Sequence, residues 1–292
     1  MNPLTVSCVG KVNVDIFYSV DEIKINNNHV SDSTAFSLGG KAANVSVALR
    51  KLGIQTNLVS AIGDDEFGDF VLSKLRDYGV SPLVSRKSGT KTGFTFIVVD
   101  RYGNNTMFNY LGANALLAVE DLQIYEADLL SSEIIFYQSG LGPELLVYLK
   151  RLKRKVFVEY TEPLPPEILE GVEFVSLNEE EALRVTNRQA VDDAINSLLS
   201  LGIRNIFVKI GGRGSLYASE MKKVFADAYK VNVVDTTGAG DSFSAGCIYG
   251  ILNNFSEEYI LRFANKCGAI TCTRKGTTEA FPILKEVHEC KF

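Results

Sequence analysis

Six short runs of almost wholly apolar residues punctuate this chain, at positions 6–9, 58–62, 134–138, 156–160, 174–177 and 206–210. A strand that is apolar on both faces must be covered on both, which is the situation of a parallel strand inside an α/β sheet. The stretches between the runs carry the matching helical signal. Val45, Ala48, Leu49 and Leu52 fall at i, i+3, i+4 and i+7, as do Ala245, Ile248, Tyr249 and Leu252. Ile260, Phe263, Ala264 and Cys267 repeat the pattern. This alternation predicts an open, mostly parallel sheet with helices on both faces.

Two regions break the rhythm. Residues 14–38 lack a helical period. Within 92–110, two strands are expected at 93–100 and 106–110, joined by Arg101-Tyr102-Gly103-Asn104-Asn105. Gly and Asn there suit the positive φ angles of a hairpin turn. Together the two segments are expected to form a small β-sheet outside the main one, a lid. Without a repeat, low-complexity tract or linker, the 292 residues read as one domain carrying that lid.

The formal net charge of -5 argues against nucleic acid or an anionic membrane as partner, since both call for a basic face. Five scattered cysteines without a C-x-x-C pair fit a reducing compartment better than a disulfide framework. Only two histidines are present, His29 and His288, so a zinc site or a Ser-His-Asp triad is not expected. Met1-Asn2-Pro3 leads into a strand-like run with no basic leader, and no segment approaches the roughly 20 apolar residues of a membrane span. A cytoplasmic protein is expected.

The strongest chemical signal is Asp235-Thr236-Thr237-Gly238-Ala239-Gly240-Asp241-Ser242-Phe243, running into an amphipathic stretch. Small residues before a helix allow close backbone approach, and the first helical N–H groups form a ready anion site. A carboxylate there suits the deprotonation of a hydroxyl beside a phosphate. Read alone, Asp241 equally suits a residue that merely stabilises a helix N-terminus. Gly39-Gly40-Lys41-Ala42-Ala43-Asn44 opens another helix, where Asn44 offers both a donor and an acceptor to a polyol. Asn13 and Asp15 follow the first strand, on the side where open α/β sheets bind ligands. Asn178 and Glu181 could share a helix face and orient waters on Mg²⁺, or simply complement the helix dipole. No G-x-x-x-x-G-K-[ST] loop and no protein-kinase H-R-D triplet occur.

In this order the segments resemble the ribokinase-like (PfkB) carbohydrate kinase family over nearly the whole chain. The N-terminal signature is matched from Gly39 to Ser46, with Gly53 and Gly63-Asp64-Asp65-Glu66-Phe67-Gly68 following. The C-terminal one is matched from Asp235 to Ile248, with Cys247 a slight departure. The resemblance implies a three-layer α/β/α sandwich with a small β-sheet lid that often makes a dimer contact. It implies transfer of the γ-phosphoryl of Mg·ATP to a primary hydroxyl of a small sugar. Asp241 would be the base, and the N–H groups of Gly238, Ala239 and Gly240 the anion hole. Asn13, Asp15, Gly39, Gly40, Lys41 and Asn44 would hold the sugar, and Asn178 and Glu181 would position Mg²⁺ and phosphate. Lys209, Gly211, Gly214, Asn265 and Gly268 would lie along the nucleotide. Asp235 and Thr237, with the segment 272–278, resemble a K⁺ loop. Two alternatives stay open: another sugar kinase of the family such as a fructokinase, or a nucleoside kinase whose lid residues Phe94, Phe96, Phe108 and Tyr110 stack on the base. A sugar-binding sensor without catalysis is the third reading.

Overall fold

The computed structural model describes residues 4–31, 33–162 and 164–292. The Met1-Asn2-Pro3 start and Asp32, inside the first expected lid segment, lie outside the described residues. The strands along the chain are β1 (Thr5–Val9), β2 (Asn13–Val20), β3 (Ser33–Gly39), β4 (Gln55–Gly63), β5 (Ser81–Lys87), β6 (Phe94–Asp100) and β7 (Asn105–Tyr110). They continue as β8 (Ile134–Gln138), β9 (Lys155–Glu159), β10 (Phe174–Asn178), β11 (Asn205–Lys209), β12 (Gly214–Ala218) and β13 (Lys223–Asp227).

Nine strands form one sheet in the order β13-β12-β11-β10-β9-β8-β1-β4-β5. Its pairings are parallel from β5 through β11, and only β12 and β13 join antiparallel. Side chains along the central strands alternate between two apolar clusters. Cys8, Phe136, Phe157, Phe174 and Phe207 enter one, packed with the helices Lys41–Lys51, Ala239–Leu252 and Glu257–Cys272. Val9, Tyr137, Val158, Val175 and Val208 enter the other, packed with Pro143–Arg151 and Val191–Ser200. Both faces are therefore covered, as the apolar runs require.

The small sheet has the order β3-β2-β6-β7, with β2 and β6 parallel and the outer pairs antiparallel. It comes from the two segments expected to depart from the α/β rhythm.

Two of the predicted strands end one residue early, leaving Tyr160 and Ile210 outside β9 and β11. Three strands carried no apolar run. In β5 every residue is half-buried or exposed, and Pro82 is tolerated because β5 is the sheet edge. The β12–β13 hairpin is short and antiparallel at the opposite edge. Both histidines are exposed, and no helix among the described residues is long and apolar enough to cross a membrane.

Strand β1 has β4 on one side and β8 on the other. The chain thus reverses its direction of sheet growth there, opening a crevice beyond the carboxyl end of β1.

Candidate active site

Three segments converge at that crevice. The first is the turn leaving β1. Gly40 follows β3 with φ 86°, and a Cβ there would come within 2.5 Å of the Lys11 carbonyl. Only glycine fits, and it delivers the helix Lys41–Lys51 directly against the turn. The second is the loop before the helix Ala239–Leu252, whose cap Gly238 has φ 77°; a Cβ there would meet Phe281 and Thr277 at 2.9 Å.

These two helix starts face each other. Asp241, 5% exposed, accepts from Lys41 Nζ at 2.9 Å on Oδ1 and from Asn44 Nδ2 at 2.8 Å on Oδ2. Burial works against the Lys41 ammonium, but Asp241, Glu159 and Glu181 outweigh it and hold its pKa above the ordinary lysine value. The Ala239 N–H is donated to the Thr236 carbonyl at 3.2 Å. Asn44 Oδ1, buried, has no protein partner among the described residues.

The third segment is the small sheet. The Asp15 carboxylate lies over Gly39, where any Cβ would meet it at 2.2 Å. Burial raises its pKa to about 6, the Thr95 hydroxyl partly offsets that, and the negative charges of Asp241 and Glu279 add to it. Asn13 donates to Thr95 Oγ1 at 3.3 Å and accepts from Asn114 Nδ2 at 2.9 Å. Asn114 is almost fully buried and also clasps both the N–H and the carbonyl of Val12.

Strand register sorts the small sheet into two faces. Asp15, Thr95 and Asn109 are cross-strand neighbours on one face. Phe94 and Tyr110, like Phe96 and Phe108, pair on the other, where Phe94 and Phe36 pack on Phe67 of the helix Glu66–Asp77. The four aromatics that the nucleoside-kinase alternative would stack on a base therefore point away from Asp15. They are packing and surface residues.

Lys209, Gly211, Gly214, Gly240, Asn265 and Gly268 line one cleft of about 290 Å³, together with the apolar residues Val231, Val233 and Phe243. Thr236, Ala239 and Gly240 of the loop before the helix Ala239–Leu252 form part of its wall, and Asp15 is not among the lining residues. Asn265 is fixed there by bonds to the Ala226 and Asp227 carbonyls, both 3.1 Å.

Asn178 does not line this cleft. It caps the helix Glu179–Thr186: its Oδ1 accepts from Glu181 N at 2.8 Å, and Glu181 Oε2 accepts from Asn178 N at 2.6 Å. Burial raises the Glu181 pKa. Asp235 Oδ1 and Oδ2 accept from Thr237 N and Gly276 N, at 2.9 and 3.1 Å, so the 235–237 and 272–278 loops are joined through this side chain. No three His, Cys, Asp or Glu side chains gather to cage a metal among the described residues.

Sequence reasoning missed Glu159. It is 1% exposed, pairs with Lys209 Nζ and accepts from Ser244 Oγ at 2.6 Å. Burial pushes its pKa up, but Lys209 and Lys41 outweigh that and hold it below the ordinary value. The one available signal was a carboxylate inside the otherwise apolar run 156–160. Lys209, expected along the nucleotide, lines the cleft with its stem while its ammonium is turned to Glu159 and Ser176.

A family model described as pfkB family carbohydrate kinase matches residues 4–284. The chain belongs to the pfkB family of carbohydrate kinases. Among curated proteins, this pfkB kinase is 29% identical to a ribokinase of Staphylococcus aureus over 297 residues, 96% of this chain and 97% of the relative. It is 26% identical to a deoxyribokinase of Salmonella typhi, covering 98% of each. Among solved structures it superposes on a ribokinase of Thermotoga maritima with TM-score 0.90, 28% identity and 98% of both chains covered. A ribokinase of Arabidopsis thaliana complexed with ribose and ATP gives TM-score 0.88 at 26% identity, over 99% and 98% of the two chains. The fold is ribokinase-like, and the enzyme is an ATP-dependent phosphotransferase acting on a sugar hydroxyl.

Proposed function

We propose that the kinase phosphorylates the primary hydroxyl of a ribose-type pentose, with Asp241 as catalytic base. The observation that carries this reading is the Asp241 carboxylate, held by Lys41 and Asn44 between the polar face of the small sheet and the Gly-lined cleft. Asn13, Asp15, Gly39, Gly40, Lys41 and Asn44 hold the sugar beneath the small sheet, which acts as a lid on a single kinase domain. ATP lies in the cleft along Lys209, Gly211, Gly214, Asn265 and Gly268. Asp241 takes the hydroxyl proton, the sugar oxygen bonds to the γ-phosphorus, and the bond to the β–γ bridging oxygen breaks to release ADP. The helix N-terminus after Gly238 faces the charge that develops on the transferring group. The Ala239 N–H is already engaged by Thr236, so the anion hole falls to Gly238 and Gly240.

Mg²⁺ keeps most of its ligands as water and phosphate oxygens and takes few from protein, which agrees with a site offering Glu181 rather than a carboxylate cage. The joined 235–237 and 272–278 loops support K⁺ activation, read from turnover in KCl against NaCl. Phe36, Phe108 and Tyr110 are exposed on the back of the small sheet and support a homodimer there, measurable by sedimentation. Five free cysteines and an ATP donor support a cytoplasmic location.

The test is ADP release with ribose, deoxyribose, fructose and a set of nucleosides. Turnover on ribose or deoxyribose should exceed that on nucleosides by orders of magnitude. The reverse order would sink the pentose reading, and no ADP release with any sugar would favour a binding sensor. The relatives named ribokinase and deoxyribokinase support the pentose choice. The outward turn of Phe94, Phe96, Phe108 and Tyr110 removes the main support for a nucleoside.

A further inference from the structure

On the inner face of the small sheet, one side chain from each of its four strands falls on a single cross-strand line. Ser37 of β3 is register partner to Asp15 of β2, Asp15 to Thr95 of β6, and Thr95 to Asn109 of β7. All four are polar, and register partners in a sheet project to the same face. The Thr95 hydroxyl donates to Asn109 Oδ1 at 3.1 Å, so that half of the row is internally satisfied. The other half is not. Ser37 is 9% exposed, and its Oγ has no hydrogen-bond partner among the described residues. A buried hydroxyl left without a partner is costly, and native structures seldom keep one without a use.

The next row along the same face is Ala35, Phe17, Ile97 and Met107. It is wholly apolar, so recognition of hydroxyl groups on this face stops at the Ser37 row. Asn44 Oδ1, beside Asp241, is likewise buried and unpartnered. Two orphan groups thus bracket the space between the base and the lid sheet.

We infer that Ser37 Oγ binds a ring hydroxyl of the acceptor, one remote from the hydroxyl that is phosphorylated, and so helps to set which sugar is accepted. This rests on the proposed sugar-kinase reading of the same site. Ser37 acts together with Asp15: the carboxylate accepts from one hydroxyl, and the serine, able to donate or accept, meets its neighbour.

The test compares the wild-type enzyme with Ser37→Ala on D-ribose, 2-deoxy-D-ribose and 3-deoxy-D-ribose, with ADP release and thermal shift as readouts. Removing one such bond should raise the KM for the parent sugar about 3- to 10-fold, with kcat and the KM for ATP within about twofold. The deoxy analogue that lacks the hydroxyl met by Ser37 should not distinguish the two enzymes. Without sugar, Ser37→Ala should melt at or above the wild-type temperature, because the lost hydroxyl had no protein partner. A lower melting temperature without sugar would make Ser37 structural and overturn the inference. An unchanged KM for every sugar, or an equal rise for all three, would overturn it as well. If the wild-type enzyme turns over none of these sugars, the sugar-kinase reading fails first. If it turns them over and Ser37→Ala is indifferent, only the role of Ser37 fails.

Discussion

Lys41 Nζ and Asp241 Oδ1 meet at 2.9 Å across 200 positions of sequence. One residue opens the helix that follows β3, and the other lies in the first turn of the helix Ala239–Leu252. The contact fixes the carboxylate proposed as the base and keeps a cation beside it.

Replacing Asp241 with Asn preserves shape and removes the proton acceptor. We expect kcat to fall about 10²- to 10⁴-fold with the melting temperature nearly unchanged. A coupled ADP assay beside a thermal melt checks this, and near-native turnover would dismiss Asp241 as the base.

Asp15→Asn should stabilise the protein while weakening sugar binding. The folded-state pKa of Asp15 is raised from 3.8 to about 6, so the folded state holds the extra proton between those values. The stability carried by this group is therefore full below about pH 4 and falls as pH rises through about 6. The rise corresponds to at most about 3 kcal/mol at neutral pH. Urea melts of both proteins at pH 4 and pH 7.5 should show a gap that opens only at the higher pH. A gap of equal size at both would contradict it.

How far this site was readable from the sequence depends on the kind of signal each residue leaves. The two glycine-lined helix starts were legible because positive φ and close backbone approach leave few residue choices, and so were the buried strands, apolar on both faces. The faces of the small sheet were not legible. Phe94, Thr95, Phe96 and Ile97 mix polar and apolar residues without showing which side meets the main domain, and only pairing with β2 decides it. Glu159 was missed because a single carboxylate inside the run 156–160 carries no sign of a partner; Lys209, which pairs with it, is 50 positions away. Asn178 and Glu181 were noticed as a Mg²⁺-orienting pair or as helix-dipole complements, but the reciprocal capping bonds that join them were neither reading.

Glu159→Gln should be strongly destabilising. It leaves the Lys209 ammonium, 15% exposed, without its counter-charge. Breaking a buried pair from one side typically costs about 3–5 kcal/mol. The double variant with Lys209→Met should recover part of that loss, since neither charge then remains. Denaturant midpoints of the four proteins measure the coupling, and simple additivity would mean the pair is not energetically joined.

Gly238→Ala should damage both stability and turnover. The left-handed conformation costs a non-glycine residue about 1–2 kcal/mol, and the new methyl group meets Phe281 and Thr277 at 2.9 Å. Because the shift falls in the turn that aims Asp241, kcat/KM should drop at least about tenfold. A variant that melts lower yet keeps full kcat/KM would show that the turn is only a connector.

The pleat of β2 has a consequence for how this enzyme can vary. Asp15 faces inward with Thr95, and its neighbours Val14 and Ile16 face the aromatic side. Inserting or deleting one residue within β2 would exchange the two sets, turning the carboxylate out of the pocket and an aliphatic side chain in. Changes of two residues would preserve the assignment. The proposed sugar contact of this sheet is thus a matter of odd and even positions, and length changes inside its strands should be tolerated only in pairs.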